Sequence, residues 1–254
     1  MRLAYCLDGV DDAPVLVLSG GLGTTTAMWD AQMPAFAPSH RVLRIDHPGH
    51  GRSPVPDGRV AVDDIGRALV ELLDELGIAQ ADFCGLSLGG MVGQWLGANA
   101  PERIERLVLA CTGASLGTLE AYAERAELVR REGVEVVLDG AGERWFTPAF
   151  RDSAAALRIL DELRDTPAEG YAACCEAVGA FDFRADLHRI VPPTLLLFGE
   201  EDTVTPAAVV EELETGIPRA RSFGIAGAAH LVNVEQPVAF SAATLSHLQD
   251  RVAS

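Results

Sequence analysis

Lysine is missing altogether: the 20 basic residues of this 254-residue chain are all arginine. Schiff-base chemistry through a lysine is thereby excluded, and so is a phosphate loop of the G-x-x-x-x-G-K-[ST] type. Positive charge is scarce in general. Thirty-seven acidic residues give a formal charge of −17 and an isoelectric point near 4.6, so nucleic acid and anionic membranes are poor partners. No apolar run approaches the roughly 20 residues of a membrane span. The start, Met1-Arg2-Leu3-Ala4-Tyr5-Cys6-Leu7-Asp8, has no apolar stretch behind a basic residue, so no signal peptide is expected. The five cysteines (Cys6, Cys84, Cys111, Cys174 and Cys175) are odd in number and lack Cys-x-x-Cys spacing. That pattern fits buried free thiols in a reducing cytoplasm better than disulfides or a metal site. There is no internal repeat and no low-complexity linker.

What is present suits one large domain, or one domain with an insertion: 48% of residues are hydrophobic and the mean hydropathy is +0.16. Short apolar runs alternate with amphipathic stretches, the rhythm of an α/β protein with a mostly parallel sheet. Strands are expected at Val15–Leu18, Arg41–Ile45, Asp82–Gly85, Ile104–Ala110, Thr194–Phe198 and Arg221–Ile225. From Val62 on, apolar residues fall at 62, 65, 69, 72, 73 and 76 and stop at Gly77, which marks a helix with one buried face. Further helices are expected from Leu88 to Ala100, Pro206 to Glu214 and Pro237 to Val252. Leu116–Phe181 breaks the alternation and reads as four helices punctuated by Gly133, Gly140-Ala141-Gly142, Pro148 and Pro167. Residues 1–115 and 182–254 are therefore expected to form the core, and 116–181 an all-helical insertion over the carboxyl edge of the sheet, where such sheets bind ligands.

Gly85-Leu86-Ser87-Leu88-Gly89 matches G-x-S-x-G between an expected strand and helix, the context of a nucleophile elbow. Such a turn lifts the Ser87 hydroxyl above the sheet and aims the Leu88 N–H at a developing oxyanion. A base and an orienting acid are needed after it, in that fold's order of serine, acid, histidine. His230 lies 143 residues on, in the loop after the last strand. Gly199-Glu200-Glu201-Asp202 offers three carboxylates after the strand before it. Asp202 is favoured by its reach back toward the His230 loop, with Glu200 and Glu201 as alternatives. The turn Ser19-Gly20-Gly21-Leu22-Gly23 supplies a second oxyanion donor, the Leu22 N–H. Asp46-His47-Pro48-Gly49-His50-Gly51 resembles a metal cluster only superficially. Two histidines three apart share a face on a helix, and Pro48-Gly49 forbids a helix there, so the stretch reads as a structural turn. No metal and no cofactor is expected.

The run Phe83-Cys84-Gly85-Leu86-Ser87-Leu88-Gly89-Gly90-Met91-Val92-Gly93-Gln94-Trp95 resembles the elbow of the α/β-hydrolase superfamily, and within it the 3-oxoadipate enol-lactonases. Leu18–Trp29, Arg144–Phe150, Glu169–Cys175 and His230–Pro237 are similar to the same enzymes. The resemblance implies the α/β-hydrolase fold with residues 116–181 as its helical cap, and the family's triad positions for Ser87, Asp202 and His230. It also implies hydrolysis of 3-oxoadipate enol-lactone in aromatic-compound catabolism, the β-ketoadipate pathway. Two departures stand out: Gly20-Gly21 where the lactonases usually carry bulkier polar residues, and His47-Pro48 where they typically carry an arginine before Gly-His-Gly. The implied substrate bears a free carboxylate, which a protein at −17 repels in bulk. A local cation must hold it, and Arg125, Arg130 and Arg144 of the cap are candidates, with Trp145 as a wall of the pocket. A carboxylesterase or thioesterase, a cofactor-free perhydrolase and a non-catalytic ligand receptor share the same frame. Dehalogenase and epoxide hydrolase chemistry need a carboxylate where Ser87 stands. Oligomeric state is not legible.

Overall fold

The apolar runs lie side by side in one sheet. The computed structural model describes residues 1–250. Its strands are β1 (Tyr5–Gly9), β2 (Val15–Ser19), β3 (Arg41–Ile45), β4 (Ala81–Leu86), β5 (Ile104–Ala110), β6 (Thr194–Gly199) and β7 (Ala220–Ile225). They form a seven-stranded sheet in the order β1-β3-β2-β4-β5-β6-β7. β1 is antiparallel to β3, and every other pairing is parallel.

Both faces of this sheet are covered, which is why its inner strands read as continuous rather than alternating hydrophobic runs. Val17, Leu43, Phe83, Leu107, Leu109 and Leu196 point into one core. There they meet α2 (Val62–Glu75), α3 (Leu88–Asn99) and α8 (Ala207–Gly216). Their neighbours Leu16, Leu18, Val42, Cys84, Val108 and Leu197 point to the other face. There they meet α1 (Met33–Phe36) and α10 (Pro237–Gln249), with Trp29 and Phe240 among the fully buried side chains.

Between β5 and β6 the chain forms α4 (Leu119–Glu132), α5 (Glu135–Trp145), α6 (Ala154–Arg164) and α7 (Ala168–Ala180). It leaves and rejoins the sheet at one place, where Ser115 and Asp182 form a bridge and the Phe183 N–H donates to the Ala114 carbonyl at 2.7 Å. α9 (Val232–Glu235) follows β7. Among the described residues no helix is long and apolar enough to cross a membrane.

Three elements have no counterpart in the sequence expectations, β1, α1 and the short α9. β1 is an edge strand of mixed exposure, and its pairing with β3, Tyr5 opposite Ile45, is what makes it a strand. The helix expected to reach Ala100 stops at Asn99 before Pro101. The one expected to reach Val252 runs to Gln249, and Arg251 and Val252 lie outside the described residues.

The helical segment seats on the core through a backbone contact. Gly170 in α7 lies against Gly49 in the loop after β3. A Cβ on Gly170 would stand 2.4 Å from the Gly49 carbonyl oxygen and 2.6 Å from its Cα. Gly170→Ala is expected to push α7 off that loop, at the roughly 1–3 kcal/mol that overpacking costs. Calorimetry should show a fall of several degrees in Tm. Gly142→Ala, where the added Cβ would meet only Leu160 at 3.4 Å, should leave Tm nearly unchanged.

Candidate active site

β4 runs straight into α3 through one residue, Ser87, whose backbone is held at φ 55° and ψ −113°. A left-handed φ in a residue with a side chain costs about 1–3 kcal/mol, so the surroundings must enforce it. They do so at close range. A Cβ on Gly85 would lie 2.1 Å from the Gly89 carbonyl oxygen, and one on Gly89 would lie 2.1 Å from that of Ser19. The Ser87 N–H donates to the Ala110 carbonyl at 2.9 Å, and the Thr112 hydroxyl donates to the Ser87 carbonyl at 2.8 Å.

The loops after β6 and β7 bring two side chains to this hydroxyl. His230 Nε2 lies 3.0 Å from Ser87 Oγ, and His230 Nδ1 lies 2.9 Å from Asp202 Oδ2. Asp202 is buried, whereas Glu200 and Glu201 are exposed; of the three carboxylates, only Asp202 meets the imidazole. Its Oδ1 accepts from the N–H groups of Val204 at 2.8 Å and Thr205 at 3.2 Å, and its Oδ2 accepts the Thr205 hydroxyl. Burial alone would raise the Asp202 pKa, but attraction to His230 and the bonds from His230 and Thr205 outweigh it and hold the carboxyl at about 2. An ionised Asp202 fixes the proton of a neutral His230 on Nδ1 and leaves Nε2 to accept from serine.

The turn after β2 runs beside the serine: a Cβ on Gly21 would be 3.5 Å from Ser87 Cβ. Leu22 lines the same cavity as Ser87, and Leu88 opens α3, where backbone N–H groups are free of helical partners. The two histidines after β3 brace this turn. His47 Nε2 donates to the Gly20 carbonyl at 2.8 Å, and His50 Nε2 accepts the Gly23 N–H at 3.0 Å while its Nδ1 donates to the Pro48 carbonyl at 2.9 Å. The two departures from the lactonase pattern thus touch each other. Gly20 is the tighter of the two glycines, since a Cβ there would meet the side-chain atoms Thr24 Oγ1 and Met28 Sδ at 2.6 Å and force them to shift.

Above Ser87 the helical segment closes a narrow cavity of about 50 Å³. Trp145, buried, forms one wall. Arg125 and Arg144 both line the cavity, and among the described residues no carboxylate does. The Arg125 guanidinium lies 5.0 Å over the Tyr122 ring and hydrogen-bonds Tyr171. Burial and the charge of Arg125 both push the Arg144 pKa below its ordinary value. Tyr171, held near 12 by burial, and Tyr122 were not singled out in the sequence. Each is an aromatic on a helix face, which reads equally well as core. Arg130 is a correction. Its guanidinium points away to a carboxylate pair on α7, Glu169 at 2.8 Å and Glu176 at 2.5 Å, and it does not line the cavity. Those two carboxylates satisfy its charge at the surface.

Known proteins match this chain over nearly its whole length. The alpha/beta hydrolase family matches residues 15–243. 3-Oxoadipate enol-lactonase 2 of Acinetobacter baylyi is 40% identical over 243 residues, 95% of this chain and 91% of that protein. The crystal structure of the enol-lactonase from Burkholderia xenovorans LB400 superposes with a TM-score of 0.94 at 37% identity, covering 98% of this chain and 96% of that one. A hydrolase from Pseudomonas aeruginosa PA01 gives the same TM-score at 46% identity, with 97% and 94% covered.

The His47 brace generates a pH prediction. With Nε2 donating, Nδ1 is buried without a hydrogen-bond partner, and burial together with neighbouring His50 lowers the His47 pKa to about 4. The unfolded chain takes that proton near pH 6.5. It therefore binds more protons than the folded chain between pH 6.5 and 4, and stability falls as pH drops through that window. Denaturant unfolding at pH 7.5 and pH 5 should show His47→Gln losing about 2 kcal/mol less than wild type on acidification.

Proposed function

The chain belongs to the alpha/beta hydrolase family, and from that premise we propose that it is a serine hydrolase that opens a carboxylate-bearing enol-lactone, 3-oxoadipate enol-lactone, to 3-oxoadipate. The observation that carries the reading is the joining of two things at one cavity: a Ser87–His230–Asp202 hydrogen-bonded chain at 3.0 and 2.9 Å, and two arginines in a lining that, among the described residues, holds no carboxylate. The 3-oxoadipate enol-lactonase relative supports the lactone as the ester attacked.

In this reading Ser87 Oγ attacks the lactone carbonyl as His230 Nε2 takes its proton. The N–H groups of Leu22 and Leu88 hold the resulting oxyanion. Asp202 keeps the imidazole oriented and stabilises its positive charge. Collapse breaks the ring C–O bond and expels an enolate that stays tethered to the acyl group and takes the proton from His230, which returns the imidazole to its neutral form. Water, deprotonated by His230, then attacks the acyl-enzyme and releases Ser87. Arg125 and Arg144 hold the free carboxylate of the acyl tail, which relieves the repulsion between their own guanidinium groups. Trp145 and the tyrosines shape the tail's path. No cofactor or metal has a part in these steps. The residue 116–181 segment serves as the cap that carries this specificity, and five unpaired cysteines support a reducing compartment, the cytoplasm.

The decisive test follows ultraviolet absorbance loss of 3-oxoadipate enol-lactone. Wild type should turn it over, and Ser87→Ala should lose on the order of 10⁶ in kcat. Cleavage of p-nitrophenyl esters with the lactone untouched would keep the serine chemistry and remove the substrate. Arg125→Gln and Arg144→Gln should each raise KM for the lactone about 10- to 100-fold, the worth of a charge-assisted hydrogen bond. An equal rise for an uncharged ester would mean that the arginines only shape the cavity.

A further inference from the structure

The loop that carries His230 is fastened on both sides of that residue to the end of α5. On one side the Leu231 N–H donates to the Trp145 carbonyl at 2.9 Å. On the other, the Ala229 N–H donates to Glu235 Oε2 at 2.6 Å. The second oxygen of the same carboxylate, Oε1, accepts the Thr147 N–H at 3.0 Å and the Thr147 hydroxyl at 2.8 Å. Glu235 is 7% exposed, and its partners are these three donors rather than a cation. Burying a carboxylate is costly unless its lone pairs are occupied, so a buried carboxylate that clamps two loops together is costly to keep and rigid once formed. Thr147 follows Trp145 by two residues, and Arg144 and Trp145 line the cavity above Ser87.

We propose that Glu235 is a positioning residue: its carboxylate ties the His230 loop to the α5 end, so that the imidazole and the Arg144–Trp145 wall of the substrate cavity are held as one rigid body. This rests on His230 acting as the base for Ser87. It explains a feature the hydrogen-bonded chain alone leaves open. Asp202 fixes the imidazole's rotation through Nδ1, but the height of the His230 backbone above the sheet is set by its two neighbours, Ala229 and Leu231, and both of these are bonded to the helical segment or to Glu235. The device also makes catalytic alignment dependent on the seating of the helical segment, because any slip of the α5 end drags the imidazole away from a hydroxyl that the elbow keeps fixed.

The test compares wild type, Glu235→Gln and Glu235→Asp, each checked for fold by circular dichroism and assayed well below its own Tm. The glutamine is isosteric, but its amide nitrogen must face one of the N–H donors, so one side of the clamp opens. Glu235→Gln is expected to lower the rate of Ser87 labelling by a fluorophosphonate about 10- to 100-fold, the size of effect that a misplacement near 1 Å produces. Lactone kcat should fall by the same factor, and by more than any rise in KM, since the imidazole acts in the chemical step while Arg144 acts in binding. Glu235→Asp, which keeps the acceptor charge, should recover part of the labelling rate. A Glu235→Gln protein with lowered Tm but wild-type labelling and kcat would overturn the proposal and leave the carboxylate a stabilising role only. Should Glu235→Gln not fold, Thr147→Val removes one of the three donors, and a several-fold drop in labelling is expected; an unchanged rate would overturn the proposal equally. The labelling readout does not depend on the lactone, so loss of the substrate assignment leaves this test intact. Absence of labelling in folded wild type would fell the serine-hydrolase reading itself.

Discussion

The left-handed turn at Ser87 is the constraint on which the other parts are built. A single residue reverses the chain from a buried strand into a buried helix. It can do so only because Gly85 and Gly89 leave the backbone of one element in contact with that of the other. Neither β4 nor α3 can relax outward. Every residue of β4 is buried, and so are the residues of α3 from Leu88 to Gly97. The strain is therefore stored in a place that packing over-determines. What results is a fixed hydroxyl, and the site is formed by bringing other groups to it.

Those groups arrive on four separate loops, each at the carboxyl end of a parallel strand. The loop after β2 is buttressed by His47 and His50 from the loop after β3. Asp202 arrives after β6 and His230 after β7. Each loop is secured by hydrogen bonds to backbone rather than by apolar packing alone, a suitable means where atoms must be placed within a few tenths of an ångström. Histidine is used twice as a neutral strut, which ties the shape of the turn beside Ser87 to pH.

Charge is distributed with similar economy. Several arginines outside the cavity are engaged by neighbouring acids, as Arg44 is by Asp8 and Asp30 and Arg130 by Glu169 and Glu176. Arg125 and Arg144 instead face tyrosines and each other inside the cavity. In a protein of net charge −17, two such guanidinium groups form a local positive field enclosed by low-dielectric walls, where an anion is held far more strongly than at the surface.

Sequence alone determined the elements whose signals are local. The buried runs of β2 to β6, the amphipathic period of α2 and the four helices between β5 and β6 follow from side-chain pattern and from glycine and proline punctuation. The elbow is legible because its glycines and serine occupy one contiguous stretch under one steric rule. Where the interaction spans the chain, local signals ran out. β1 is a strand because β3 offers it a partner. Glu200, Glu201 and Asp202 are chemically alike in sequence, and only the turn after β6 decides that the third is buried against His230. Arg125 and Arg130 share a helix, yet side chains five residues apart on a 3.6-residue turn project in different directions. One reaches the cavity, and the other reaches two carboxylates on α7. Glu235, six residues beyond Ala229, carries no local signal of its role, and only the fold sets Thr147 against it. The pattern of hydrophobic and turn residues decides which segments become strands and helices, because that choice is made within a few residues. Which polar group meets which is decided by packing at long sequence separation, and there only the tertiary structure supplies the distances.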